Sequence, residues 1–125
     1  MVYGKERLYA DLQQMGYIVE YQNDSNGLDY VTIKDHVIDI GQFKGRVIDL
    51  SLLVRSDYPR TIGSCIHVKS DPILLDYNDS DRIKRNIIKS NLGEEWRYWS
   101  FTFNLSSDNP TQDLMAQING IFRNI

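Results

Sequence analysis

Hydrophobic residues near the start of the chain recur at the spacing of a helix. Leu8, Leu12 and Met15 stand at positions i, i+4 and i+7, so a helix over about residues 5–15 would place all three on one face. Gly16 follows as a C-terminal stop signal. The N-terminal segment is therefore predicted to be an amphipathic helix with one buried face.

A second helix is predicted near the end of the chain, from about Pro110 to Phe122. Asn109 is a suitable N-cap, and Pro110 takes the first helical position, where its missing N–H costs nothing. The apolar positions repeat at helical spacing. They are Leu114, Met115, Ile118, Ile121 and Phe122.

Four segments between the helices are predicted to be strands. In the clearest of them Ile48, Leu50, Leu52 and Val54 alternate with a set that includes Asp49 and Ser51, which is expected to face partly outward. Because no helix separates the strands, an antiparallel four-stranded meander with helices on one face is expected, which is an α+β fold. The four segments are Tyr17–Tyr21, Tyr30–Lys34, Arg46–Arg55 and Ser64–Lys69.

Turns are predicted at three points between these strands: the cluster Asn23–Gly27, the pair Asp35-His36, and the glycine-bracketed segment Gly41–Gly45. After the fourth strand the pattern weakens. Ile83 and Ile87 have the spacing of a short helix, and residues 92–103 are predicted to be an irregular, aromatic-rich segment.

Composition limits the classes of function. A length of 125 residues is that of one domain, over residues 1–125, and a net charge of −3 argues against a general binder of the nucleic-acid backbone. The N-terminus has no signal peptide, and no apolar run reaches membrane-spanning length. A cytoplasmic protein without nucleic-acid or membrane partners is expected. One cysteine and two histidines leave no metal cluster, and no cofactor motif occurs.

Cys65 and His67 are the residues closest to a nucleophile–base pair. They stand two apart in a predicted strand, so their side chains share a face and can approach each other. The alternative is a small buried cysteine beside a structural histidine. We favour that alternative, because nothing else in the segment points to a reactive site.

The aromatic segment admits two interpretations. Trp96, Tyr98 and Trp99 can anchor the segment on the core, since each ring buries a large area. They can instead form a binding edge, because Trp, Tyr and Arg are enriched at interaction hot spots. For some of the rings the first interpretation is favoured.

Two stretches resemble a known superfamily. The segment from Gly41 to Leu50, followed by Tyr58-Pro59 and Ile66–Val68, is similar to the central meander of ubiquitin-conjugating enzymes. The segment Ser90–Ser100 resembles part of the bacterial branch often called family E, whose genes typically lie beside those for a ubiquitin-like protein, an activating enzyme and a deubiquitinase-like metallopeptidase. The resemblance implies a conjugating-enzyme-like fold and makes the ubiquitin-like protein and activating enzyme the expected partners. Binding would involve Tyr58, Pro59, Trp96, Tyr98 and Trp99.

The chain departs from that family at its reactive centre. Conjugating enzymes accept the modifier on a cysteine after the meander, whereas residues 70–109 here contain none, and the His-Pro-Asn motif is also missing. The first hypothesis is therefore a non-catalytic module that binds a ubiquitin-like protein or its machinery. The second is a divergent conjugating enzyme with Ser90, Ser100 or Cys65 as nucleophile, which leaves enzymatic activity undecided. A third is an unrelated α+β domain that binds a small ligand.

Overall fold

The computed structural model describes residues 2–105 and 108–125. Over these residues the chain forms an α+β domain in which a six-stranded antiparallel sheet lies between an N-terminal and a C-terminal helix in chain order. A 3₁₀ turn, Tyr77–Asp79, precedes the short second helix. The elements are α1 Gly4–Gln14, β1 Ile18–Asn23, β2 Asp29–Val37, β3 Val47–Leu53, β4 Cys65–Lys69, α2 Ser80–Ile83, β5 Ile87–Lys89, β6 Trp96–Ser100 and α3 Pro110–Arg123.

The sheet has the order β1-β2-β3-β4-β6-β5, and every neighbouring pair is antiparallel. Strands β1 to β4 form the expected meander. The chain then crosses past the position of β6, forms β5, and returns so that β6 lies between β4 and β5. Strand β4 is consequently an interior strand, bonded to a neighbour on each side.

The core lies between one face of the sheet and the helices α1 and α3. Leu8 and Leu12 of α1 are fully buried, as their spacing predicts. We call this side of the sheet the helix face and the opposite side the distal face. Burying these apolar side chains supplies most of the driving force for folding. The sheet contributes Val31, Ile33, Ile48, Leu50, Leu52, Ile66, Val68, Ile87 and Trp99, and α3 contributes Leu114, Met115, Ile118 and Phe122.

A buried chain of hydroxyl groups connects the loop after β3 to both long helices. Thr111 at the start of α3 donates to Asp11 Oδ2 of α1 over 2.7 Å. Its oxygen lies 2.6 Å from Tyr58 Oη, which is fully buried. Since Thr111 has one proton to give, the tyrosine is the donor of the second bond. Tyr58 thus holds α1 and α3 in a fixed relation.

The prediction of four strands and an irregular aromatic segment was wrong. Residues 96–100 form β6, which bonds to β4 and β5, and Ile87 belongs to β5 rather than to a helix. The helix predicted near Ile83 is limited to α2, residues 80–83. Aromatic side chains stand on both faces of β6, and Trp96 and Trp99 are both buried. Because apolar and polar residues do not alternate in this strand, the hydrophobic pattern does not predict it.

The tight turn expected at Asp35-His36 is also absent, because β2 continues through both residues to Val37. Asp35 has a φ of 54°, and the pairing with β3 shifts between Ile33 and His36, which is a β-bulge. The Asp49 carboxylate accepts from the Asp35 backbone N–H at 3.1 Å. Ser51 is fully buried instead of facing partly outward.

No helix in residues 2–105 and 108–125 is both long and apolar enough to cross a lipid bilayer.

Candidate functional site

His67 in β4 is the centre of a buried polar cluster on the distal face. The sheet register pairs His67 with Tyr98 of β6, and Tyr98 with Ile88 of β5, so all three side chains point to the distal face. Ser90 stands two residues after Ile88 and takes the same direction. The sheet therefore brings Ser90 and His67 together although 23 residues separate them.

Both ring nitrogens of His67 have partners. Nδ1 lies 2.7 Å from Ser90 Oγ, and Nε2 lies 3.5 Å from the sulfur of Cys65. The Leu92 backbone N–H donates to Ser90 Oγ at 3.1 Å, which leaves the serine proton free for Nδ1. In this arrangement the imidazole carries its own proton on Nε2 and directs it to Cys65.

Aromatic rings enclose the imidazole from two sides. Tyr30 and Tyr98 meet His67 edge-on, with ring centroids 5.1 and 5.3 Å away. Tyr30 donates its hydroxyl proton to Asp24 Oδ2 at 2.8 Å. The other oxygen of Asp24 accepts two backbone N–H groups of the β1–β2 loop. Asp24 therefore acts on His67 only through its charge, and no hydrogen bond joins the two in the described part of the chain.

Burial keeps His67 and Cys65 uncharged at neutral pH. Desolvation lowers the pKa of His67 to about 4, against a smaller opposite effect of the Asp24 charge. Desolvation likewise raises the pKa of the Cys65 thiol to about 11. A thiol is reactive as the thiolate, and an efficient general base has a pKa near the working pH. At neutral pH Cys65 is therefore a thiol rather than a thiolate, and the pKa of His67 is too low for an efficient general base.

The structure separates the aromatic candidates for binding. Tyr58 and Trp99 are buried in the core between the sheet and the helices, and Trp96 is buried on the distal face beneath Lys69, so none of the three rings has a surface to offer a partner. Pro59 and Tyr98 are half-buried and remain accessible. Of the two candidate serines, Ser100 pairs with Cys65 across β4 and β6, whereas Ser90 lies within hydrogen-bond distance of His67.

A groove on the distal face was not predicted from the sequence. Val37 and Val47 are direct cross-strand neighbours, and both are exposed. Val47 and the exposed Ile73 line a groove with a volume of about 540 Å³, which we call the distal groove. The sequence signal for this groove is Val47. It is apolar but does not belong to the alternate positions of β3 whose side chains are buried. The remaining lining residues are Asp35, Ile48, Asp49, Lys69, Ser70, Asp71 and Glu95.

The distal groove has an acidic rim. Lys34 neutralises the charge of Asp49, since its Nζ lies 2.8 Å from the Asp49 carboxylate. Burial opposes ionisation of Asp49, but this contact keeps the pKa of Asp49 below its ordinary value. Lys69 lies over the Trp96 ring at 5.8 Å. Asp35, Asp71 and Glu95 remain as the acidic side chains of the lining. The groove thus combines exposed apolar side chains with negative charge.

The described residues contain no cluster of three or more His, Cys, Asp or Glu side chains placed to hold a metal ion. No protein-family model, curated protein or solved structure matches the chain.

Proposed function

We propose that the protein is a non-catalytic, ubiquitin-conjugating-enzyme-like module that binds a ubiquitin-like protein. The observation that carries the non-catalytic part is the state of Cys65. Its side chain is 3% exposed, it lies in an interior strand, and burial raises its pKa to about 11. A thioester with a protein modifier requires an accessible thiolate. This thiol is neither accessible nor ionised.

The order of elements is consistent with this proposal. The first helix and the four-stranded meander agree with the fold that the resemblance implies, and the Tyr58-Pro59 pair on which it partly rests follows β3. The hairpin of β5 and β6, which contains β6 within the resembling segment Ser90–Ser100, extends the sheet in the region where the resemblance would place the catalytic cysteine, and residues 70–109 contain no cysteine. The missing thiol supports a module that binds without transfer chemistry.

The distal groove is the surface we propose for binding. Exposed Val37, Val47 and Ile73 supply apolar contact, and the acidic rim favours a partner with a basic surface around an apolar centre. Electrostatic complementarity of this kind raises the rate of association and helps to select the partner. We expect such a partner among ubiquitin-like proteins.

The test is a titration followed by heteronuclear NMR, with ubiquitin and the ubiquitin-like protein encoded nearest the gene as probes. We expect shift changes around Val47 and a loss of binding in Val47→Asp. Ile88→Asp is the matched control, because Ile88 is 51% exposed, close to the 50% of Val47, and lies in β5 on the same face. Equal weakening by both variants, or saturable shifts confined to residues outside the groove, would contradict the proposed surface.

Ser90 supports a second candidate function, that of a divergent conjugating enzyme. Its hydroxyl is 2.7 Å from His67 Nδ1, within the reach of a nucleophile and its base. In an ester-forming step Oγ would attack the modifier's activated carbonyl carbon, His67 would take the hydroxyl proton, and the activating enzyme's thiol would leave. The pKa of about 4 for His67 makes the imidazole a weak base for this step.

Incubation with activating enzyme, ATP and the ubiquitin-like protein distinguishes the two candidates. The non-catalytic module forms no covalent adduct. A hydroxide-sensitive adduct that is lost in Ser90→Ala but kept in Ser100→Ala would establish the enzyme instead, and loss in Cys65→Ala would identify a thioester. The third hypothesis, a small-ligand domain, has less support, because charged residues contribute to the lining of each of five cavities of about 330–540 Å³ found in residues 2–105 and 108–125.

A further inference from the structure

Strand β1 forms one edge of the sheet and lacks the usual protection of an edge strand. In the described residues its six residues, Ile18–Asn23, pair with β2 alone. The strand contains no proline, glycine or lysine. Ile18 is 63% exposed and Tyr21 is 47% exposed. A row of unpaired backbone N–H and C=O groups beside exposed apolar side chains is a template for another strand.

The opposite edge of the same sheet is protected. Strand β5 has three residues and ends in Lys89. The two residues Lys84 and Arg85 stand just before it, so cations flank the edge on both sides. Natural proteins keep edge strands from pairing by making them short and by adding such charges. The contrast between the two edges of one sheet indicates that β1 is left open for a partner.

We propose that β1 pairs antiparallel with β1 of a second copy of this chain, with Val19 of each copy on the two-fold axis. A closed two-fold dimer uses the same patch on both subunits, and an antiparallel pair of identical strands satisfies that symmetry. The six strands of each copy would join into one continuous sheet with α1 and α3 of both copies on the same side. The dimer is independent of the function proposed above.

The register follows from side-chain direction and charge. With Val19 opposite its own symmetry mate, Tyr17 meets Tyr21 of the second copy, and these apolar side chains share the helix face. Ile18 meets Glu20 on the distal face. A register centred on Glu20 would instead place two carboxylates directly opposite each other, which is destabilising. One centred on Tyr21 would place Ile18 opposite Asp24.

Local charge does not oppose this register. The carboxylate of Glu20 lies 3.9 Å from Lys34 Nζ, which Asp49 holds more closely at 2.8 Å, so part of the Glu20 charge is offset within its own subunit. Tyr21 is already ordered by stacking on Tyr9, with ring centroids 4.5 Å apart. A side chain that is ordered before association loses less entropy on binding. Because one edge-to-edge pairing buries less area than a standard interface, we expect a weak dimer.

The first test is sedimentation velocity on the full chain from low micromolar to near-millimolar concentration. We expect the weight-average mass to rise from 14.6 kDa toward twice that value. Ile18→Glu places a carboxylate directly opposite Glu20 of the second copy and should abolish the rise, whereas Ile88→Glu on the opposite edge should leave it unchanged. A monomer throughout, or equal loss of the dimer in both variants, would overturn the proposal.

The second test fixes the register by crosslinking. Facing residues of antiparallel strands have Cα atoms about 4.5–5.5 Å apart, which suits a disulfide. Val19→Cys should therefore form a disulfide-linked dimer under mild oxidation, while Ile18→Cys, two positions away from its symmetry mate, should not. The native thiol Cys65 is buried and does not compete. Crosslinking of Ile18→Cys without Val19→Cys would overturn the register, and circular dichroism checks that each variant is folded.

Discussion

Acidification should destabilise the protein through His67 before most carboxylates titrate. The folded pKa of His67 is about 4, against 6.5 for an ordinary histidine, because burial disfavours the imidazolium ion. Below pH 6.5 the unfolded chain therefore binds a proton that the folded chain does not. Stability contributed by the neutral imidazole is fully present above pH 6.5 and is lost as the pH falls toward 4.

The size of this effect follows from the shift. Each pKa unit corresponds to about 1.4 kcal/mol, so the whole loss is about 3 kcal/mol. Integrating between pH 7 and pH 5 gives about 2 kcal/mol from His67 alone. For a domain of ordinary stability, about 5–15 kcal/mol, that is a sizeable fraction. The groups facing the imidazole are Ser90, Cys65, Tyr30 and Tyr98, and the Asp24 charge is already included in the pKa.

The assay is urea unfolding of the wild type and of His67→Gln at pH 7 and pH 5. His36 has a lowered pKa from burial too, and it contributes to the slope of both proteins, so the comparison between them removes its share. We expect His67→Gln to be the less stable protein at pH 7, with a deficit about 2 kcal/mol smaller at pH 5. If the free energy of unfolding falls by the same amount in the two proteins between pH 7 and pH 5, the effect does not come from His67.

Three further outcomes are expected. Gly41→Ala should destabilise the fold more than Gly45→Ala, as measured by urea unfolding. Both glycines have a positive φ, but a Cβ at Gly41 would lie 2.5 Å from a carbonyl oxygen at the end of α3, whereas a Cβ at Gly45 would have no neighbour within 4 Å. Tyr58→Phe should cost about 1 kcal/mol of unfolding free energy by removing the hydrogen bond to Thr111. Cys65 should react with a disulfide reagent only in denaturant, and rapid reaction of the native protein, followed by absorbance, would disprove its burial.

Local patterns predicted the elements that bury one face. Leu8 and Leu12 identified α1, the repeat ending at Phe122 identified α3, and the alternation around Leu50 identified β3. In each case one side of the element is apolar and the other meets solvent or polar groups. That asymmetry gives the sequence a period that can be recognised.

Elements that depend on distant partners could not be predicted in the same way. Trp96 and Trp99 point to opposite faces of β6, and both are buried, so the strand has no polar side to mark it. The enrichment of Trp and Tyr in strands was the signal available there. At Asp35 the pattern indicated a turn, and the backbone does enter the left-handed region, but Asp49 of the next strand holds it as a bulge within β2.

The candidate site illustrates the same limit. The approach of Cys65 to His67 follows from their spacing in one strand, whereas the contact of His67 with Ser90 requires β6 to lie between β4 and β5. That strand order also explains why conjugating chemistry at Cys65 is disfavoured. Cys65 is the first residue of an interior strand, and its side chain is only 3% exposed. A thiol buried in this way is out of reach of a protein modifier, whereas Ser90 follows the edge strand β5 and is only half-buried.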